Sequence, residues 1–166
     1  MTEQTTAIND EELAGVLKEF YTTGGTLGAI RGIGEEELEA VYLMAYNFYT
    51  NGKFKDAEKA FKFLCFYDHM EKKYFIGLAA TRQMMKLYPG AVQAYAYASL
   101  LDVGDPMPSL HAADCFLAEG KYAEAQSALS ATVHWAGEKE EYKPVKERAE
   151  TLLALLEQGQ KEESEQ

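Results

Sequence analysis

Cysteine is nearly absent from this chain of 166 residues, which has only Cys65 and Cys115. Two cysteines make no disulfide framework, so stability has to come from packing. Proline, at 4 residues, is too sparse to interrupt long helices. No apolar stretch reaches membrane-spanning length. The longest charge-free run, 87–101, contains Pro89, Gly90 and Gln93 and is too short to cross a bilayer. Residues 1–4, Met-Thr-Glu-Gln, show neither the basic start nor the apolar run of a secretory signal, so the expectation is a soluble cytosolic protein.

Positive charge is also scarce, with 16 Lys and Arg against 27 Asp and Glu. A net charge of −11 with no basic stripe repels phosphate backbones and argues against nucleic-acid binding. Catalytic signatures are missing as well. There is no H-E-x-x-H and no serine in a nucleophile-elbow pattern. The segment Gly24-Gly25-Thr26-Leu27-Gly28 lacks the Gly-Lys-Ser/Thr that would make it a phosphate loop, and reads as a break between helices. No catalytic residue is assigned, and the chain is not expected to be an enzyme.

What is present is an ordinary globular share of apolar residues, 47%, with 11 tyrosines among them. Tyrosine offers a broad apolar face and a polar tip, a combination suited to binding surfaces. The charge is unevenly spread. Residues 1–40 carry a net −7, residues 41–136 a net of zero and residues 137–166 a net −4. The middle is a neutral body between two acidic ends.

That body repeats itself every 34 residues, the length of a tetratricopeptide unit. Registers begin at Leu38, Lys72 and Pro106. The eighth position holds Ala45, Ala79 and Ala113, and the twentieth Ala57, Ala91 and Ala125. The twenty-fourth holds Phe61, Tyr95 and Leu129. Small alanines let two helices approach closely, and a large residue four further on fills the space beyond the crossing. The fold class is therefore all-α, with three tandem repeats forming an α-α superhelix. Helices are predicted at about 35–50, 53–68, 72–86, 89–101, 108–118 and 121–136. Gly52 and Gly120 occupy the turn inside the first and third repeats, where Lys86 stands in the second and leaves that turn's geometry open.

Around a single repeat domain over residues 9–157 lie a flexible start at 1–8 and a disordered polar tail at 158–166. Amino-terminal helices fall within 9–33, the repeats at 38–71, 72–105 and 106–139, and a capping helix opened by Pro144 at 140–157. Terminal repeats need such a cap to cover their apolar flank.

In this architecture the first helix of each repeat lines the concave side, through its second, fifth, ninth, twelfth and thirteenth positions. In the first repeat this places Tyr42, Tyr46 and Tyr49 along one stripe, beside Glu39 and Thr50. The second repeat contributes Ile76, Ala80 and Gln83, and the third Leu110, Asp114 and Leu117. The tyrosine stripe has two readings: core packed against the amino-terminal helices, or the wall of a groove. Val41, Met44, Ala45 and Phe48 already occupy the structural positions of that helix, which favours the groove. A clamp for a carboxyl-terminal carboxylate is not encoded, because it needs Lys and Asn where Tyr42 and Tyr46 stand and bases where Met107 and His111 stand. An extended polypeptide with spaced apolar side chains fits instead, each buried anchor contributing about 1.5–3 kcal/mol.

Two helical pairs, Cys65 with His69 and His111 with Cys115, offer potential metal ligands at i and i+4. They fall at different positions of the repeat and lack a C-x-x-C knuckle, so no metal and no cofactor is assigned.

The segments Gly24-Gly25-Thr26-Leu27, 57–68 (AEKAFKFLCFYD), 74–83 (YFIGLAATRQ) and 111–125, in a small acidic chain with three repeats, resemble one family over roughly residues 10–157. It is the class II chaperones of type III secretion systems, the LcrH/SycD/IpgC/SicA type. The resemblance implies a non-enzymatic, cytoplasmic bacterial protein that keeps hydrophobic, pore-forming translocators soluble by threading an extended segment through the groove. It implies pocket roles for Tyr42, Tyr46, Tyr49 and Phe54. It also implies a homodimer through Leu13, Val16, Leu17 and Phe20, with no insertion into membranes. Two alternatives stay open: an export chaperone for needle subunits, which would bind a helix, and a scaffold or co-regulator that docks a transcriptional activator.

Overall fold

Six alanines at the eighth and twentieth positions of the three repeats become the closest helix crossings. Ala45, Ala57, Ala79, Ala91, Ala113 and Ala125 are all 0% exposed in the computed structural model, which describes Gly15, Lys18 and residues 25–164. A methyl is the largest group such a crossing admits, so each pair of helices meets at its alanines. Beyond them Phe61, Tyr95 and Leu129 are fully enclosed.

After a short helix α1 (Leu27–Ile30) the repeats run as α2 (Glu35–Thr50) and α3 (Phe54–Tyr67), α4 (Lys72–Met84) and α5 (Tyr88–Leu101), α6 (Met107–Ala118) and α7 (Tyr122–Ala136). A 3₁₀ turn (Glu140–Tyr142) leads into α8 (Lys143–Ser164). Each of α2 to α8 packs on its neighbour in the chain, the signature of a solenoid. Thr26 caps α1 by accepting from the Ala29 N–H at 3.3 Å, and Glu37 reaches back to the Gly34 N–H at 3.0 Å at the start of α2.

One turn closes all three repeats. The N–H groups of Lys53, Leu87 and Lys121 donate to the carbonyls of Phe48, Arg82 and Phe116 at 2.8, 2.8 and 2.9 Å. This turn needs a left-handed residue just before the donor. Gly52 and Gly120 supply it at φ 71°, and Lys86 adopts φ 59° to make the same turn. Lysine there costs about 1–2 kcal/mol of backbone strain, and the repeat context imposes it.

The core divides in two. One cluster joins the first two repeats with Ala112 and Cys115 of the third. The other gathers Leu110, Ala113 and Leu129 with Ala149 of α8, flanked by Val145, Leu152, Leu153 and Leu156. Leu110 is only 2% exposed there, so it is a core residue and not a groove residue as the register suggested. The cap packs on the third repeat and encloses it.

The carboxyl-terminal tail also differs from expectation. Helix α8 continues to Ser164, through most of the segment 158–166 that the polar composition predicts to be a disordered tail. Glu, Gln and Lys are good helix formers, and a single glycine, Gly159, does not end a helix already nucleated on the core. The flexible start at 1–8 and the residues Leu13, Val16, Leu17 and Phe20 lie outside the described residues. Gly15 and Lys18, between them, are helical and exposed.

Candidate peptide-binding groove

Between α2 and α4, the first helices of the first two repeats, lies an open cavity of about 380 Å³. Tyr42, Tyr46 and Tyr49 form one wall, Ile76, Gly77 and Ala80 the other, and Phe61 of α3 the floor. The tyrosines line it because their i, i+4, i+7 spacing turns one stripe of α2 toward α4. Tyr46 keeps 53% of its surface exposed, and its ring stacks on Tyr42 with centroids 6.4 Å apart. Tyr42 meets Phe61 edge-on at 6.1 Å and Tyr74 at 5.8 Å. Desolvation by burial raises the phenol pKa of Tyr42 above its ordinary value.

The rim is polar. Lys73 Nζ lies 4.8 Å from the Tyr42 ring centroid and 2.6 Å from Glu39 Oε2, tying the leading turns of α2 and α4 together. Lys72, which also borders the cavity, pairs with Asp102 and Asp105 at 2.7 and 2.6 Å. A ligand therefore meets an apolar floor, phenolic hydroxyls along one side and charge only at the edge. Such a site buries apolar side chains and activates nothing.

Of the residues placed in the groove from the sequence, Tyr42, Tyr46, Tyr49, Ile76 and Ala80 border this one cavity. Phe54 does not border it but packs edge-on against Tyr49 at 5.7 Å, holding that ring in place. The Gln83 Oε1 accepts a hydrogen bond from the Tyr95 hydroxyl at 2.8 Å, which fastens α4 to α5. Leu117 is half-buried on α6, away from the cavity. Asp114 does not border this cavity, and its carboxylate takes an ion pair from Arg148 of the cap at 2.7 Å, with His111 Nδ1 at 3.8 Å. Phe61 and Gly77 were not assigned to the site. A glycine inside a helical pattern was the available signal for a close backbone approach.

On the opposite side of α2 a second hollow of about 400 Å³ is lined by Val41, Met44, Phe48, Ala60 and Phe63. Of the residues read as structural fillers of α2, Val41, Met44 and Phe48 thus border open space, with Met44 47% exposed, while Ala45 is fully enclosed.

The thiols are inert. Burial pushes the Cys65 pKa up to about 12 and that of Cys115 to about 11, so neither is a ready thiolate ligand. His111 stacks on Tyr95 at 5.4 Å. Among the described residues no group of three or more His, Cys, Asp or Glu side chains could hold a metal ion. No helix among them is long and apolar enough to cross a membrane.

A tetratricopeptide-repeat family matches residues 38–70 and 73–103. The chain is 35% identical over 156 residues to low calcium response locus protein H of Yersinia pestis, covering 94% of this chain and 92% of that protein. It belongs to the LcrH-type family of type III secretion translocator chaperones. Two solved structures of chaperones share the fold. The Yersinia enterocolitica translocator chaperone SycD, in an alternative dimer, superposes with a TM-score of 0.71 at 35% identity over 77% of this chain and 97% of that one. PcrH from Pseudomonas aeruginosa, in complex with the chaperone binding region of PopD, gives 0.73 at 35% identity over 78% and 97%. Chaperoning is a non-enzymatic activity, in keeping with a groove that binds and does not react.

Proposed function

We propose that this chain is a cytoplasmic chaperone that holds an extended, apolar segment of a hydrophobic type III secretion translocator across the leading helices of its first two repeats. The cavity between α2 and α4 carries this reading: three tyrosines, Ile76 and Ala80 surround about 380 Å³ of open, largely apolar space. That volume has room for a large aliphatic or aromatic side chain, and burying such a group contributes about 1.5–3 kcal/mol. The rim offers Lys73 and Glu71 to the client's backbone and polar side chains. The complex of the related PcrH with the chaperone binding region of PopD supports a translocator segment as the guest. In water the client's membrane-active stretches would aggregate, and covering them beside strongly acidic termini keeps the complex in solution.

Within this reading Tyr42, Tyr46, Tyr49, Ile76 and Ala80 contact the client, while Phe54 buttresses Tyr49. Gln83 and Leu117 flank the path further along the same row of helices. The chain is proposed to form a homodimer, as SycD does in its crystal structure. Leu13, Val16, Leu17 and Phe20 are the residues proposed for the contact between the two copies. Sedimentation of Leu17→Glu tests this: a shift to monomer supports the amino-terminal contact, and an unchanged dimer removes it.

The groove itself is tested by Tyr42→Glu combined with Tyr46→Glu, using a peptide of the PopD chaperone binding region as probe. Affinity should fall at least about 100-fold, since two positions of the tyrosine wall acquire charge. Helical circular dichroism should stay at the wild-type level. Collapse of the fold would instead make these tyrosines core residues.

A further inference from the structure

Gly77 stands in the middle of α4, where glycine costs about 1 kcal/mol relative to alanine. The reason lies on α3. A Cβ built on Gly77 would sit 2.5 Å from Phe61 Cζ and 2.7 Å from Cδ1, and nearer still to Cε1. Carbon atoms pack at about 3.5–4.0 Å, so an added methyl and the present ring cannot coexist. Either the helix or the ring has to move. The helix is pinned, because Arg82 of α4 pairs with Glu58 of α3 at 3.1 Å and donates to the Gly90 carbonyl at 3.0 Å. The ring has somewhere to go: Phe61 and Gly77 both border the tyrosine cavity.

We propose that Gly77 is a positioning residue for client binding. Lacking a side chain, it lets the Phe61 ring lie against the α4 backbone and so sets the depth of the cavity floor. The inference rests on the groove reading above and identifies what fixes the size of the client side chain accepted there. A methyl at residue 77 is small in itself, but it displaces a phenyl ring into the space a guest would fill.

The test is Gly77→Ala in the full chain, titrated calorimetrically with the PopD chaperone-binding-region peptide. The dissociation constant should rise at least about tenfold. Adding Phe61→Leu to Gly77→Ala should bring it back to within about threefold of wild type, because the shorter side chain makes room for the methyl. A glycine needed only for helix packing would not show this rescue in affinity. Binding of Gly77→Ala at wild-type strength, or a double variant no better than the single one, would overturn the proposal. Should the single variant fail to fold, a double variant that folds and binds supports it, and one that also fails sinks it. Failure of the wild type to bind the peptide would count against the groove reading alone. The crystal structure of Gly77→Ala then decides the geometry, with a Phe61 ring displaced into the cavity in favour and an unmoved ring against.

Discussion

The first two repeats and the third share a register but not an exposure. At the fifth position Tyr42 and Ile76 border an open cavity, while Leu110 is 2% exposed inside the core. At the ninth, Tyr46 and Ala80 border the cavity, while Asp114 is held by Arg148 of the cap at 2.7 Å. The difference is the neighbour. Helices α2 and α4 leave space between their facing stripes, whereas α8 covers the third repeat as solenoid ends require. A repeat position fixes the direction of a side chain, and the next element decides whether it meets a guest or the core.

The sharpest way to break this comparison is to truncate equivalent positions. Leu110→Ala should cost about 2–5 kcal/mol of stability through the cavity it leaves, with client affinity unchanged after allowing for the folded fraction. Urea denaturation and peptide titration on one preparation check both halves. Tyr46→Ala should do the reverse, weakening the client about tenfold to 100-fold and moving the urea midpoint little, since the ring is 53% exposed. If both variants changed the same property, the two regions would not differ as described.

The turns sharpen it further. Lys86→Gly should stabilise the second repeat by about 1 kcal/mol, because it removes a left-handed lysine at φ 59° whose place glycine takes in the other two turns. Thermal unfolding detects this, and a destabilised variant would mean that Lys86 makes a compensating contact. The smallest effect concerns acid. The hydrogen bond from Lys62, with that from Arg82, holds the Glu58 carboxyl below its ordinary pKa despite partial burial. A lowered folded pKa adds stability above the unfolded value of about 4.3, and that stability is lost as pH falls through the folded one. Wild type should therefore lose more stability than Glu58→Gln between neutral pH and the region below that value. Parallel pH profiles would show that the α3–α4 ion pair adds nothing.

Much of the fold was legible because the period is physical. Six alanines at fixed offsets mark the helix crossings of the three repeats, and the helix limits follow from them within a residue or two. The second turn was not, since Lys86 contradicts local propensity and only its repeat context forces the left-handed backbone. The cavity was half legible. The tyrosine stripe follows from helical spacing on one element, whereas Phe61 and Gly77 matter through a contact between two repeats that spacing along one helix does not reveal. The burial of Leu110 and the pairing of Asp114 with α8 were not legible for the complementary reason: a register carries no information about the cap. The end of α8 was not legible because polar composition alone does not separate a disordered tail from a helix, while Gln158, Lys161, Glu162 and Glu163 propagate a helix well.

Photocrosslinking tests the central claim most directly. A benzophenone amino acid replacing Tyr46 should capture a bound translocator segment, while one replacing Trp135, on the outer helix of the third repeat, should not. Capture from position 135 with none from position 46 would place the guest elsewhere on the solenoid and contradict the account.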